Sequence, residues 1–279
     1  MTESAQRLVF TDLDGTLLDH DSYSYAAAMP CLRTLERLGI PLIPATSKTR
    51  AEIEQLRAEL GNAHPFIVEN GAAVFIPAGY FPAQPAETTR RGDYWVRELA
   101  PGRPRWLALL DEVQADFAGE FTHFFQLGTT GIMRATGLTE SRARLANQRE
   151  YSEPVQWLGR ESRKRAFVEE LRRHGATVLQ GGRFLSVSGD TDKGRALRWL
   201  RQCYVDVRAG GVDDLAAGDS DNDCAMLEVA ATALVVRSPA RPFPQLARQV
   251  GVLHSTACGP AGWAEGIRAW LQGEAKISE

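Results

Sequence analysis

Two aspartates one residue apart, Asp12 and Asp14, close a short apolar run in LVFTDLDGTLLD, residues 8–19. Two carboxylates in one turn repel unless a cation or a shared proton stabilises them. A hard divalent ion such as Mg2+ prefers this oxygen-rich setting. For an isolated D-x-D-G-T, a turn or N-cap aspartate is the competing reading. Three further segments tip the balance. LAAGDSDND places Asp219, Asp221 and Asp223 after another apolar run. DTDKGRAL sets Lys193 at a helix start, where free N–H groups already favour an anion. IPATSKT ends a third apolar run with the hydroxyls of Thr46 and Ser47 and the ammonium of Lys48. Carboxylates for a metal, hydroxyls and N–H groups for phosphoryl oxygens, and a lysine for charge together describe a phosphoryl-transfer site.

These groups need a scaffold that gathers them. From residue 7 to 69 short apolar runs alternate with helical patterns: strand RLVFT, helix AAAMPCLRTLERLG ended by Gly39, strand IPLIPA, helix TRAEIEQLRAEL ended by Gly61, strand PFIVE. This βαβαβ order predicts a parallel sheet covered by helices, with ligands at the carboxyl ends of its strands. Past residue 84 the rhythm changes. Strand-like YWVREL, FTHFF, GIMRA, ATVLQ and RFLSVS are separated by helical RPRWLALLDEVQADF, LTESRARLANQRE and ESRKRAFVEELRRHG. QGGR reads as a two-residue hairpin turn through Gly181 and Gly182. From residue 192 the α/β alternation returns with helix DKGRALRWLRQ, strand DDLAAG, helix NDCAMLEVA and strand TALVV. The expected fold class is α/β, a doubly wound parallel-sheet, Rossmann-like core. It is built from 1–83 and 190–279 and carries an inserted α+β domain at 84–189.

Bulk properties narrow the function. At 279 residues the chain suits two unequal domains. A net charge of −3 gives no basic surface for nucleic acid. Four cysteines without a C-x-x-C argue against a zinc site and a disulfide framework. The five histidines form no ligand-like cluster. No run reaches the ~18 apolar residues of a membrane span. The first ten residues hold no signal-peptide apolar region, so the expected location is cytoplasmic.

Asp12-Leu13-Asp14-Gly15-Thr16, Thr46, Lys193 and Gly218-Asp219-Ser220-Asp221-Asn222-Asp223 resemble, in order, the four motifs of haloacid dehalogenase-superfamily phosphatases. The insert lies between the second and third motifs, as in the Cof-like subgroup with type IIB caps. VFTDLDGTLLD, SKTRAEIE, PFIVENGAAVFIP, REYSEP and GGRF…DKGRAL are similar to the mannosyl-3-phosphoglycerate phosphatase family. The resemblance implies Asp12 as nucleophile and Asp14 as general acid and base. It implies Mg2+ held by Asp12, the backbone carbonyl of Asp14, and Asp219. Asp223 would act through a water or orient Lys193, and Asn222 would help fix Asp219. Thr46 and Lys193 would bind phosphoryl oxygens; Thr46 takes the motif position when ATSK is set against the ATGR of Cof-like relatives. Glu69 and Asn70 follow the third strand as substrate contacts, or as an Asn-Gly turn. Arg183, Arg149 and Ser152 are candidates for the anionic end of a substrate, since a guanidinium can fork onto a carboxylate; solvated arginines are the alternative. Asp221 and Cys224 are expected bystanders. The implied partner is a small anionic sugar phosphate, and the implied product a compatible solute. The enzyme is expected as a monomer or homodimer. A glucosyl substrate, or a phosphotransferase or mutase on the same core, stays open.

Overall fold

The computed structural model describes residues 5–181, 183–207 and 210–273; Gly182 of the expected hairpin turn lies outside them. The chain divides into two compact units. The first comprises 1–46, 62–97 and 192–279, the second 47–61 and 98–191.

The first unit is built on five parallel strands in the spatial order Val252–Cys258, Thr232–Arg237, Val212–Gly218, Gln6–Thr11, Leu42–Pro44. Leu8, Val9 and Phe10 are fully buried in succession. A strand covered by helices on both faces needs such an unbroken apolar run. Helix Gly259–Gln272 packs on the last two strands of the chain and on helix Met29–Arg37. It buries Trp263, Ile267 and Trp270, each contributing roughly 1.5–3 kcal/mol. Helix Lys193–Asp206 packs against helix Cys224–Val229 and strand Val212–Gly218. Strand Gln6–Thr11 lies between a strand that follows it in the chain and one that returns from the far end, so the strand order reverses there. That reversal opens a crevice at the carboxyl ends, the ligand position of such sheets.

One expectation is met only in part. Phe66–Val68 runs parallel beside Leu42–Pro44, but no continuous ladder joins it to the five-stranded sheet. It pairs antiparallel with Ala73–Pro77 in a separate four-stranded sheet and touches the parallel sheet by a single bridge, Ala45 to Ile67. Its antiparallel partner follows from the turn after it: Glu69, Asn70 and Gly71 all have positive φ, which sends the chain straight back.

The second unit holds a four-stranded antiparallel sheet, ordered Phe121–His123, Glu153–Trp157, Phe184–Ser188, Thr177–Gly181. Helices Arg103–Val113 and Glu161–Arg173 pack on it through Trp106, Leu110, Phe167 and Leu171. Residues 84–97, expected in the insert, lie in the first unit. Helix Arg50–Leu60, expected in the core, lies in the second, started by a Thr49–Glu52 capping box and ended by left-handed Gly61. Gly131–Ala135, expected as a strand, is part of helix Phe124–Thr136, which kinks at Gly128. Ile132 docks there with Phe124, Ala143 and Ala146, so packing decides what a short apolar run leaves open.

Beneath this sheet lies a buried ionic network that no local pattern announces. Arg103 Nε donates to Glu153 Oε2, and its Nη1 and Nη2 donate to the backbone oxygen and Oδ1 of Asn147 at 2.8 and 2.9 Å. His123 Nδ1 and the Phe125 N–H lie 2.9 and 2.8 Å from Glu153 Oε1. Burial alone would raise the Glu153 carboxyl. The hydrogen bonds from His123 and Arg103, with the guanidinium charge, outweigh it and hold the pKa below the usual 4.5. A depressed carboxylate contributes stability above its unfolded pKa and loses it as pH falls through the folded value. Glu153→Gln strands Arg103 and is expected to cost about 3–5 kcal/mol at neutral pH. In urea titrations, the gap between wild type and variant should narrow below about pH 4.5. A gap that stays constant into acid would show that the carboxylate charge does not stabilise this unit.

Candidate active site

Asp12 directly follows the strand Gln6–Thr11, and its N–H donates to Ala217 O at 2.8 Å on the neighbouring strand. Asp219 follows that neighbour, Val212–Gly218, and Thr46 lies just past Leu42–Pro44 on the other side. Three adjacent strand ends therefore deliver one carboxylate, another carboxylate and a hydroxyl to one edge. Lys193 arrives from a fourth element as the first residue of helix Lys193–Asp206, whose N-cap Asp192 accepts from Arg195 N at 2.8 Å.

Lys193 is fully buried. Its Nζ donates to Asp12 Oδ1 and to Asp223 Oδ1, both at 2.6 Å. Asp223 uses its other oxygen on the turn: Oδ2 accepts from the N–H groups of Asp219 and Ser220 at 3.1 Å and from Ser220 Oγ at 3.2 Å. Ser220 Oγ also reaches Asn222 Oδ1 at 2.7 Å, and Asn222 Nδ2 donates to Asn70 Oδ1 at 3.2 Å. Thr16 Oγ1 donates to Asp219 Oδ1 at 3.3 Å. Gly15 has φ +81, and a Cβ there would lie 2.7 Å from Asp219 Oδ2, so only glycine lets the turn pass this close.

Oxygens of Asp12, Asp219 and Asp223 lie within 4.8 Å of one another, all three residues being buried. This all-oxygen donor set suits a hard cation. The electrostatics point the same way. Burial, with Asp223 adding to it, raises the Asp12 carboxyl to about 8 although Lys193 opposes the shift. Burial and Asp223 raise Asp219 to about 6. Burial would lower the Lys193 ammonium, but Asp12 and Asp223 outweigh this and keep it charged. One cation thus faces three carboxylates, and the excess negative charge has a place for a metal ion.

The structure therefore brings together Asp12, Lys193, Asp219, Asn222, Asp223 and Asn70. Thr46 joins through its backbone carbonyl, which accepts from the Asn70 N–H at 2.9 Å. Asp14 sits half-buried in the turn, bridged to Leu18. Glu69 is buried with φ 47. Asp221 is exposed. In the second unit, Arg149 Nη1 donates to Ser47 O and Ser152 Oγ, both at 3.0 Å. Arg183 is exposed, its Nη2 donating to Thr136 O at 3.3 Å. One contributor to this site has no role assigned from sequence, and one buried network of the second unit has no sequence signal at all. Thr16 lies inside the first motif, and its spacing four residues past Asp12 was an available signal. The Arg103–His123–Glu153 network joins positions too far apart in the chain to leave one.

The haloacid dehalogenase-like hydrolase model matches residues 9–81, and the sucrose-6F-phosphate phosphohydrolase model matches 165–271. A glucosyl-3-phosphoglycerate/mannosyl-3-phosphoglycerate phosphatase of Methanococcoides burtonii is 37% identical over 262 residues, covering 94% of this chain and 96% of that protein. A mannosyl-3-phosphoglycerate phosphatase of Pyrococcus furiosus is 35% identical over 230 residues, covering 82% and 90%. The solved structure of a HAD subclass IIB sugar phosphatase shares the fold at TM-score 0.57 and 14% identity, over 83% of this chain and 87% of that one. The chain belongs to the haloacid dehalogenase-like hydrolases, in the family of glucosyl- and mannosyl-3-phosphoglycerate phosphatases.

Proposed function

We propose that this protein is a Mg2+-dependent phosphatase that hydrolyses mannosyl-3-phosphoglycerate to mannosylglycerate and phosphate. The observation that carries the reading is the buried Lys193 ammonium shared by Asp12 and Asp223, with Asp219 beside them. The name of the Methanococcoides burtonii relative covers glucosyl as well as mannosyl substrates, which makes the glucosyl analogue the second reading.

Asp12 is the nucleophile: its carboxylate attacks phosphorus and the ester oxygen leaves. Asp14, half-buried two residues on, protonates that oxygen and then takes a proton from the water that releases phosphate. Lys193 holds Asp12 in line and offsets charge on the phosphoryl oxygens, which the hydroxyl of Thr46 also binds. Asp12, Asp219 and the backbone carbonyl of Asp14 are the residues that would hold Mg2+. Asp223 spends its oxygens on Lys193 and on the 219–220 backbone, so it positions both. When bound, the ion supplies the positive charge that lets a carboxylate approach an anionic ester.

Raised carboxyl pKa values set the response to pH. Relative to an unfolded value of 3.8, the protons of Asp12 and Asp219 stabilise the fold fully below that pH. The contribution is lost as pH rises through about 6 and about 8. In chelator, Tm should fall across this range. Mg2+ binds the deprotonated forms, so it should raise Tm most at the alkaline end and restore activity. A Tm shift that is flat with pH would remove the charge imbalance from the explanation.

Asp12→Asn should abolish the phosphoenzyme trapped by acid quench. Asp14→Asn should slow turnover ~10²–10⁴-fold, least on esters with good leaving groups. Near-normal turnover by Asp12→Asn would reassign the nucleophile.

Arg183 is assigned to the glycerate carboxylate. A charged hydrogen bond is worth roughly 1.5–3 kcal/mol, so Arg183→Ala should lower kcat/KM for mannosyl-3-phosphoglycerate about 10–100-fold. Hydrolysis of p-nitrophenyl phosphate, which has no carboxylate, should barely change. The same assay run on a panel of sugar and glycerate phosphates tests the function itself, with stoichiometric phosphate release separating a phosphatase from a phosphotransferase. Equal losses on both substrates would place Arg183 in the phosphoryl site or the fold.

A further inference from the structure

The turn Glu69-Asn70-Gly71 meets three separate parts of the site at once. Glu69, Asn70 and Gly71 have φ of 47, 60 and 92, three successive left-handed residues. Left-handed backbone is costly for glutamate, less so for asparagine, and free for glycine. Such a turn persists only when its surroundings over-determine it, and here Asn70 and Gly71 are both fixed. The Asn70 N–H donates to the carbonyl of Thr46 at 2.9 Å. The Asn70 Oδ1 accepts from Asn222 Nδ2 at 3.2 Å, and Asn222 Oδ1 in turn accepts from Ser220 Oγ at 2.7 Å. Gly71 lies against the start of the Lys193 helix: a Cβ there would sit 2.2 Å from the Asp192 carbonyl oxygen.

We infer that Asn70 is a positioning residue, a clasp that fixes the distance between the phosphate-binding Thr46 and the metal-holding Asp219–Asp223 turn. The inference rests on the reading of the site as a metal-dependent phosphatase. It differs from a direct substrate contact, because both polar ends of Asn70 named above already act inside the protein. The backbone N–H sets Thr46. The side-chain oxygen sets Asn222, which holds Ser220 next to Asp219. Neither strand end fixes the other by itself, since Leu42–Pro44 and Val212–Gly218 are separated by Gln6–Thr11. A link across the top of the intervening strand is what couples them.

Asn70→Gly tests this, because glycine keeps the left-handed backbone and its N–H while deleting the amide. Mg2+ binding is read by thermal shift, independently of turnover, and phosphate binding by product inhibition. Loss of one neutral hydrogen bond corresponds to about 3–10-fold. Asn70→Gly should therefore weaken Mg2+ and phosphate each by that factor, with little change in the Tm of chelated protein. Asn222→Ala should weaken Mg2+ similarly, and the double variant should be no worse than either single one, the mark of a shared interaction. Asn70→Asp keeps an acceptor for Asn222 and should regain much of the Mg2+ affinity. Unchanged Mg2+ affinity in Asn70→Gly with a raised KM alone would overturn the inference in favour of a substrate contact, as would additive losses in the double variant. A wild type without any Mg2+-dependent thermal shift would overturn the phosphatase reading as well, and so separates the two failures.

Discussion

A single buried ammonium organises the active unit. Lys193 has no solvent exposure and spans Asp12 and Asp223. An unpaired ammonium taken out of water would cost several kcal/mol even after relaxation, so the fold must present both carboxylates or lose the lysine's charge. That requirement ties together three distant parts of the chain: the first strand, the helix that begins at 193, and the turn after Gly218. The N-cap Asp192 and the capping box of Ser220 with Asp223 hold two of these ends in register. Small residues follow from the same closeness. At Gly15 a methyl group would collide with Asp219, and at Gly71 one would collide with the backbone that launches Lys193.

The part of the site made by strand ends was legible in the sequence because its signals are local. An apolar run followed at once by Asp12 and Asp14, or by Asp219 and Asp223, states both the strand and what it aims. The parallel sheet was legible for the same reason, through unbroken runs such as Leu8–Phe10. What could not be read depends on partners far off in the chain. Phe66–Val68 is the buried strand its apolar run suggests, but the left-handed Glu69 and Asn70 also give it an antiparallel partner that no local pattern announces. Gly131–Ala135 carries a strand-like composition, but Ile132 is claimed by Phe124 and by the helix Glu140–Ala146. Arg103, His123 and Glu153 meet only after three elements have assembled, so no spacing rule finds them. Arg149 was legible by residue type alone; that its Nη1 meets Ser47 O and Ser152 Oγ depends on the fold.

Two buried ionic clusters among the described residues differ in their charge balance. Around Glu153, one carboxylate is matched by Arg103, with His123, Asn147 and the Phe125 N–H completing the hydrogen bonds. The carboxyl is accordingly held below its usual pKa, and the cluster has no use for a further ion. Around Lys193, one ammonium faces Asp12, Asp219 and Asp223, and the carboxyls of Asp12 and Asp219 are pushed up. Hydrogen bonds are plentiful there too, so satisfaction of polar atoms does not distinguish the clusters; the ratio of carboxylates to cations does. A stability-driven fold would have matched the charge, as the second unit does. The first unit instead keeps an excess of carboxylates that a proton or a cation relieves. The same imbalance that weakens the fold as pH rises leaves a place for a cation among these oxygens.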